Sequence, residues 1–87
     1  MTKYAVTLAD PVRKELRNLP AHVIERIQPK LRELAANPRP PACKKLRGYK
    51  NCWRIRVGDY RVVYTVDDAR KVVDIMRVAH RSEVYEP

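Results

Sequence analysis

Apolar side chains recur with two different periods along this chain, and the switches between them divide it into elements. Tyr4, Val6 and Leu8 alternate with Lys3, Ala5 and Thr7, so residues 3–8 are expected to form a strand with one buried face. Asp10-Pro11 suits a helix start, with Asp at the N-cap and Pro at the first helical position, where a missing N–H costs nothing. Val12, Leu16 and Leu19 give a short amphipathic helix that ends at Asn18-Leu19-Pro20. A second helix begins at Pro20 or Ala21 and carries Val23, Ile27, Leu31 and Leu34 along one stripe, flanked by Ile24 and Ala35. Pro29 falls inside it. A proline there removes a backbone bond and crowds the preceding turn, so a kink or break is expected near residues 26–28. From Asn37 to Asn51 periodicity fails and Pro38, Pro40 and Pro41 stiffen the chain, which reads as a loop.

The alternation returns over residues 52–64. Trp53, Ile55 and Val57 alternate with Arg54 and Arg56; after Gly58-Asp59, Tyr60, Val62 and Tyr64 alternate with Arg61 and Val63. A two-residue Gly-X connection favours a tight β-hairpin, because Gly adopts the positive φ the turn requires. Closing it at Val57 and Tyr60 sets Arg56 opposite Arg61, Ile55 opposite Val62, Arg54 opposite Val63 and Trp53 opposite Tyr64. One face is then apolar and the other carries three arginines. After the polar turn at residues 67–70, Lys71 to Ala79 forms a last strand, with Val73 and Ile75 on the core face and Val72, Asp74, Met76 and Val78 on the arginine face. The order strand, helix, helix, strand, strand, strand predicts a single α+β domain over residues 1–87, in which a helical hairpin packs on a largely antiparallel sheet.

Composition adds charge to this picture. Among 87 residues, 19 Lys and Arg against 10 Asp and Glu leave a net charge of +9, which favours a polyanionic partner: nucleic acid, an acidic protein or a membrane surface. The membrane is the weakest of these, since no long apolar run or charged-then-apolar leader is present, and a cytoplasmic location is the default. Without an export signal, Cys43 and Cys52 are expected to stay reduced. Their spacing fits no zinc motif, with only His22 and His80 to complete a set, so no metal or other cofactor is expected. His22 reads as a helix-surface residue. Lys44, Lys45, Arg47 and Lys50 load the loop before the hairpin with positive charge, suited either to solvation or to guiding nucleic acid.

Like charges directly opposite on a sheet face are destabilising by a few tenths to about 1 kcal/mol per pair. The Arg56/Arg61 pairing therefore calls for an anion between the two, a nearby carboxylate such as Asp74, or splaying of both groups into water. No Gly-rich phosphate loop, metal cluster or Ser/His/Asp set is visible. The candidate chemistry comes from Arg54, Arg56, Arg61, His80, Arg81 and Tyr85. Guanidinium groups hold a phosphodiester bidentately and stabilise the added charge of five-coordinate phosphorus. His80 is the natural group to move the proton of a ribose 2′-OH, and Tyr85 can stack on an unpaired base. Strict alternation, however, puts Arg81 on the face opposite His80.

Taken together, Tyr4-Ala5-Val6, the helical pair with Leu19-Pro20 between its members, Asn37-Pro38-Arg39-Pro40, Lys45-Leu46-Arg47-Gly48, the hairpin from Trp53 to Tyr64, and His80-Arg81-Ser82-Glu83-Val84-Tyr85 resemble the RelE/ParE superfamily of toxins, RelE branch. The resemblance implies a RelE-like microbial RNase fold and a ribosome-dependent endoribonuclease that cleaves mRNA in the decoding site. It also implies a cognate antitoxin that covers the active face and links the toxin to operator DNA. By the same resemblance Arg54 and Arg56 match the basic pair at the scissile phosphate, where other members carry lysines. Arg61 matches the transition-state arginine, Arg81 the arginine near the leaving group and Tyr85 the base-placing tyrosine. Arginine is a poor general base, so that role would pass to His80, to Tyr85 or to no residue. A gyrase-inhibiting ParE-like toxin and a non-catalytic RNA-binding or corepressor protein are the alternatives.

Overall fold

A computed structural model describes residues 3–83. Five strands and two helices follow in the order β1 (Ala5–Leu8), α1 (Asp10–Arg17), α2 (Ala21–Ala36), β2 (Lys44–Lys45), β3 (Cys52–Val57), β4 (Tyr60–Asp67) and β5 (Val72–His80). The sheet is ordered β1-β5-β4-β3-β2. β1 runs parallel to β5, with Ala5 opposite Val72 and Leu8 opposite Ile75, and every other pair is antiparallel. The predicted α+β architecture is present. The additional strand is β2, two lysines on the far edge within the expected loop; a pair so short leaves no alternation to detect.

The β3–β4 hairpin has the register that the alternation demands. Arg56 pairs with Arg61, Ile55 with Val62, Arg54 with Val63 and Trp53 with Tyr64. Gly58 takes φ +60, and a Cβ there would approach the Arg26 guanidinium at 3.2 Å, so α2 lies directly against the hairpin tip. Val12, Val23, Ile27 and Leu34 of the helices pack on Ile55, Val57, Val62, Tyr64, Val66, Val73, Ile75 and Val78 of the sheet. The largest of these buried groups is Tyr64, whose hydroxyl donates to the Pro38 carbonyl at 2.7 Å and fastens the segment after α2 to the core. Burial pushes that phenol's pKa up.

Three expectations need correction. Of the kink or break expected near residues 26–28, the break is absent: α2 is continuous across Pro29. Both Pro29 and Glu25, whose carbonyl loses its helical partner, are exposed, so water can satisfy that oxygen. Asp10 lies inside the first turn of α1 instead of capping it; the cap position is Ala9, and Asp10 acts through the helix dipole alone. The third correction is a β-bulge. Val63 pairs with Arg77 but Tyr64 pairs with Ile75, which leaves Met76 as an extra residue in β5. Beyond it the parity of β5 reverses. Val78, expected on the arginine face, is buried in the core, and Ala79 faces Arg61 instead.

A polar tie holds the far end of the sheet. Arg39 grips Asp68 through Nη1 at 3.2 Å and Nη2 at 2.7 Å, and the Tyr4 hydroxyl donates to the same carboxylate at 2.6 Å. The Arg39 guanidinium first, then the Tyr4 hydroxyl, hold the Asp68 carboxyl at a pKa of about 2, below the roughly 3.9 of an unperturbed Asp. A carboxylate whose folded pKa is depressed contributes stability above its unfolded pKa and loses it as pH falls toward the folded value. In thermal melts, wild type is expected to exceed Asp68→Asn at neutral pH, and the gap should close as pH falls from about 5 to about 2. Pro29→Ala restores a helical bond in α2 and is expected to raise stability in denaturant titrations by about 1–3 kcal/mol.

Candidate functional site

The sheet face turned away from the helices is crossed by rows of side chains that the register defines. Nearest the hairpin tip the row is Arg56, Arg61 and Ala79; the next is Lys44, Arg54, Val63 and Arg77; the third is Cys52, Thr65, Asp74 and Thr7. Two rows thus bring Arg54, Arg56, Arg61 and Lys44 to one end of one face. Arg54 is only 4% exposed, so it is not the solvated strand residue that its alternation with apolar neighbours allows. Arg61 is half-buried and Arg56 is exposed. Leu46, Cys52, Val63 and Ala79 form a small apolar cluster beside these cations.

Asp74 was the carboxylate expected to neutralise this face. It lies in the third row and accepts a hydrogen bond from Thr7 Oγ1 at 2.8 Å. Sequence reasoning missed Glu15 of α1, a carboxylate that pairs with a cation here. Its Oε2 meets Arg77 Nε at 2.8 Å, and its Oε1 accepts the Val78 backbone N–H at 3.0 Å. β1 ends opposite Ile75, so beyond that point the free edge of β5 is satisfied by this α1 side chain. No periodic signal in the sequence announces such a contact.

The bulge at Met76 decides where the C-terminal candidates fall. Arg81 continues the ladder at the hairpin tip: its N–H donates to the Asp59 carbonyl at 2.8 Å, and its Nε lies 4.0 Å from Asp59 Oδ1. Two positions after Ala79, it has the parity of the arginine face. His80 has the opposite parity, pairs with Tyr60 and meets that ring edge-on, with centroids 5.5 Å apart at 87°. Its Nδ1 accepts the Ser82 N–H at 3.2 Å and lies 2.9 Å from Ser82 Oγ, so the neutral ring carries its proton on Nε2. His80 lines a cleft of about 260 Å³ with Glu15, Asn18 and Tyr60. The structure therefore gathers Arg54, Arg56 and Arg61, with Arg81 at the rim, and turns His80 away from them. Tyr85 lies outside the described residues.

The basic residues of the preceding segment divide between two faces. Lys44 stands beside Arg54, whereas Lys45 pairs with Trp53 and holds its Nζ 5.9 Å from the indole centroid. Arg39 covers the same ring at 5.2 Å, a second role the sequence did not disclose. Arg47 and Lys50 lie in the exposed β2–β3 loop. Among the described residues no cluster of His, Cys, Asp or Glu is arranged to hold a metal, and no helix is long and apolar enough to cross a membrane. What the arginine face offers is several fixed guanidinium groups able to bind a phosphodiester and to stabilise charge developing on it.

Comparison with known proteins places this geometry among toxins. Residues 6–85 match the family model of the ParE toxin of type II toxin–antitoxin systems. The mRNA interferase toxin RelE of Escherichia coli is 42% identical over 76 residues, spanning 83% of this chain and 79% of that protein. The archaeal RelE–RelB complex from Pyrococcus horikoshii superposes with a TM-score of 0.82 at 32% identity, covering 97% of this chain and 100% of that one. The intact Escherichia coli RelBE toxin–antitoxin complex gives 0.80 at 35% identity, covering 88% and 95%.

Arg56 and Arg61 oppose each other across a ladder whose other face already supplies the packing. Arg56→Thr places a strand-favouring β-branched residue at the site and is expected to raise stability by a few tenths to about 1 kcal/mol at low ionic strength, with the gain shrinking in high salt. Denaturant titration of the two proteins at two salt concentrations checks this.

Proposed function

This chain belongs to the RelE/ParE family of type II toxin–antitoxin toxins, and from that membership we propose that it is an endoribonuclease that cleaves mRNA in the decoding site of the ribosome and so stops translation. The observation that carries the reading is the collection of Arg54, Arg56 and Arg61 on one sheet face, with Arg81 at its rim. The reaction is attack of a ribose 2′-oxygen on the adjacent phosphorus. A bond from that oxygen to phosphorus forms and the bond to the 5′-oxygen breaks, while the 2′-OH proton passes to water and the departing oxygen takes one from water, leaving a 2′,3′-cyclic phosphate and a 5′-hydroxyl. Arg54 and Arg56 hold the non-bridging oxygens, Arg61 stabilises the five-coordinate state, and Arg81 stands near the departing 5′-oxygen. Lys44, Lys45, Arg47 and Lys50 add attraction to RNA of the ribosome and message. The mechanism uses 2′-OH chemistry and needs no metal or other cofactor.

Arginine keeps its proton, so these groups lower the barrier through charge. Removing one such donor from a preorganised site costs about 100- to 1,000-fold in rate. His80, held against Tyr60 and Ser82, serves the strand end and does not take the 2′-OH proton in this reading. Tyr85 remains proposed as the base-placing residue.

The partner is a cognate antitoxin, as in the RelE–RelB complexes of the relatives; operator DNA is reached only through it, and the protein works in the cytoplasm, away from membranes. Inhibition of DNA gyrase by binding is the second reading, favoured by the ParE name of the matching family model. Pulse labelling after induced expression separates the two. Methionine incorporation is expected to fall first while thymidine incorporation continues; the reverse order would favour gyrase. Arg61→Ala and Arg81→Ala are expected to restore growth while still binding antitoxin, whereas His80→Ala should arrest growth as wild type does. Full toxicity in Arg61→Ala would remove the arginine face from the mechanism.

A further inference from the structure

Seven cations and no carboxylate lie between Leu34 and Gly58: Arg39, Lys44, Lys45, Arg47, Lys50, Arg54 and Arg56. At the middle of this stretch, between β2 and β3, residues 47–51 form a short exposed loop whose base is fixed. The Leu46 N–H donates to the Cys52 carbonyl at 2.9 Å, and the Val66 N–H donates to the Asn51 carbonyl at 3.0 Å. Leu46 and Cys52 are buried with Val63 and Ala79, the cluster on the arginine side of the sheet. Gly48 and Asn51 take φ +82 and +55, conformations that turn the chain sharply. The loop is therefore anchored on a cluster at the arginine side of the sheet.

Tyr49 stands in this loop and is 57% exposed, more than any other large hydrophobic residue among those described. It is absent from both buried clusters. Together with Lys45, Arg47 and Lys50 it borders an open hollow of about 560 Å³. An aromatic ring presented to water and flanked by cations has the composition of a single-strand nucleic-acid contact: the ring stacks on a base and the cations hold neighbouring phosphates. The loop also lies in line with the reacting face. From Cys52 the strand reaches Arg54 in about 7 Å and Arg56 in about 13 Å, with Lys44 beside Arg54.

We propose that Tyr49 is a base-stacking residue: it receives an unpaired RNA base next to the segment held by Arg54 and Arg56, while Arg47 and Lys50 contact the adjoining phosphates. The inference rests on the RNA-directed reading above and adds to it a second contact point at the opposite end of β3. A stack tolerates any base but not the loss of the ring, and it releases no counterions. Its removal therefore weakens binding without altering the salt dependence, whereas removal of a phosphate-binding cation alters both.

The test is equilibrium binding of the purified protein to a short, unstructured, fluorescently labelled single-stranded RNA across a series of salt concentrations. Tyr49→Ala is expected to weaken binding by about 5-fold or more with an unchanged salt slope, and Tyr49→Phe to bind within about twofold of wild type. Lys50→Ala should weaken binding and reduce the slope by about 0.7. Wild-type affinity in Tyr49→Ala overturns the proposal. So does a loss in Tyr49→Phe equal to that in Tyr49→Ala, or a loss confined to antitoxin binding, which would make the loop a protein-docking element. The cleavage reading is scored separately, by whether the wild-type protein cuts mRNA on ribosomes: a Tyr49 effect on RNA binding without such cleavage would sink only the cleavage reading.

Discussion

The placement of Arg54, Arg56 and Arg61 on one sheet face depends on a constraint exerted from the other side of the sheet. Ile55, Val57, Val62 and Tyr64 are buried under α2, and side chains along a strand alternate with a period of two. A slip of one residue in the β3–β4 register would drive Arg54, Arg56 and Arg61 into the core and expose the apolar set. The cost of that slip is many times the repulsion between Arg56 and Arg61, about 1 kcal/mol at most. Hydrophobic burial on one face thus holds like charges together on the other.

Inserting Met76 into β5 extends this control to the chain end. A regular ladder would bring His80 to the arginine face and send Arg81 to the helices; the bulge exchanges them. Val78 gains a place in the core, Ala79 leaves room beside Arg61, and Glu15 satisfies the edge of β5 just beyond the irregularity. One extra residue therefore settles which chemistry is available. The face holds groups that stay charged at every physiological pH, and the imidazole packs against Tyr60.

The hairpin was legible because two independent signals agree, a period-two pattern on both strands and Gly58 where a positive φ is required. The helical pair was legible from its stripes, although Pro29 pointed to a break; whether a proline breaks a helix depends on whether water can reach the freed carbonyl, which pattern does not report. The bulge was hidden because Asp74, Met76 and Val78 read as regular alternation whichever side Val78 takes. Glu15 and Arg39 act through contacts to residues more than 25 positions away, and such pairings leave no local trace. β2 escaped notice because two lysines on an edge look like loop. The candidate set was thus readable as residue types, while its division between two faces required the fold.

The central claim is that this arginine face cuts mRNA on the ribosome. Mapping mRNA 5′ ends by primer extension, after adding the purified protein to a translating extract, tests it most directly, with ribosome-free RNA and Arg61→Ala as controls. Breaks at decoding-site positions that vanish in both controls are expected. Intact mRNA in the extract, or equal cutting by Arg61→Ala, would contradict it.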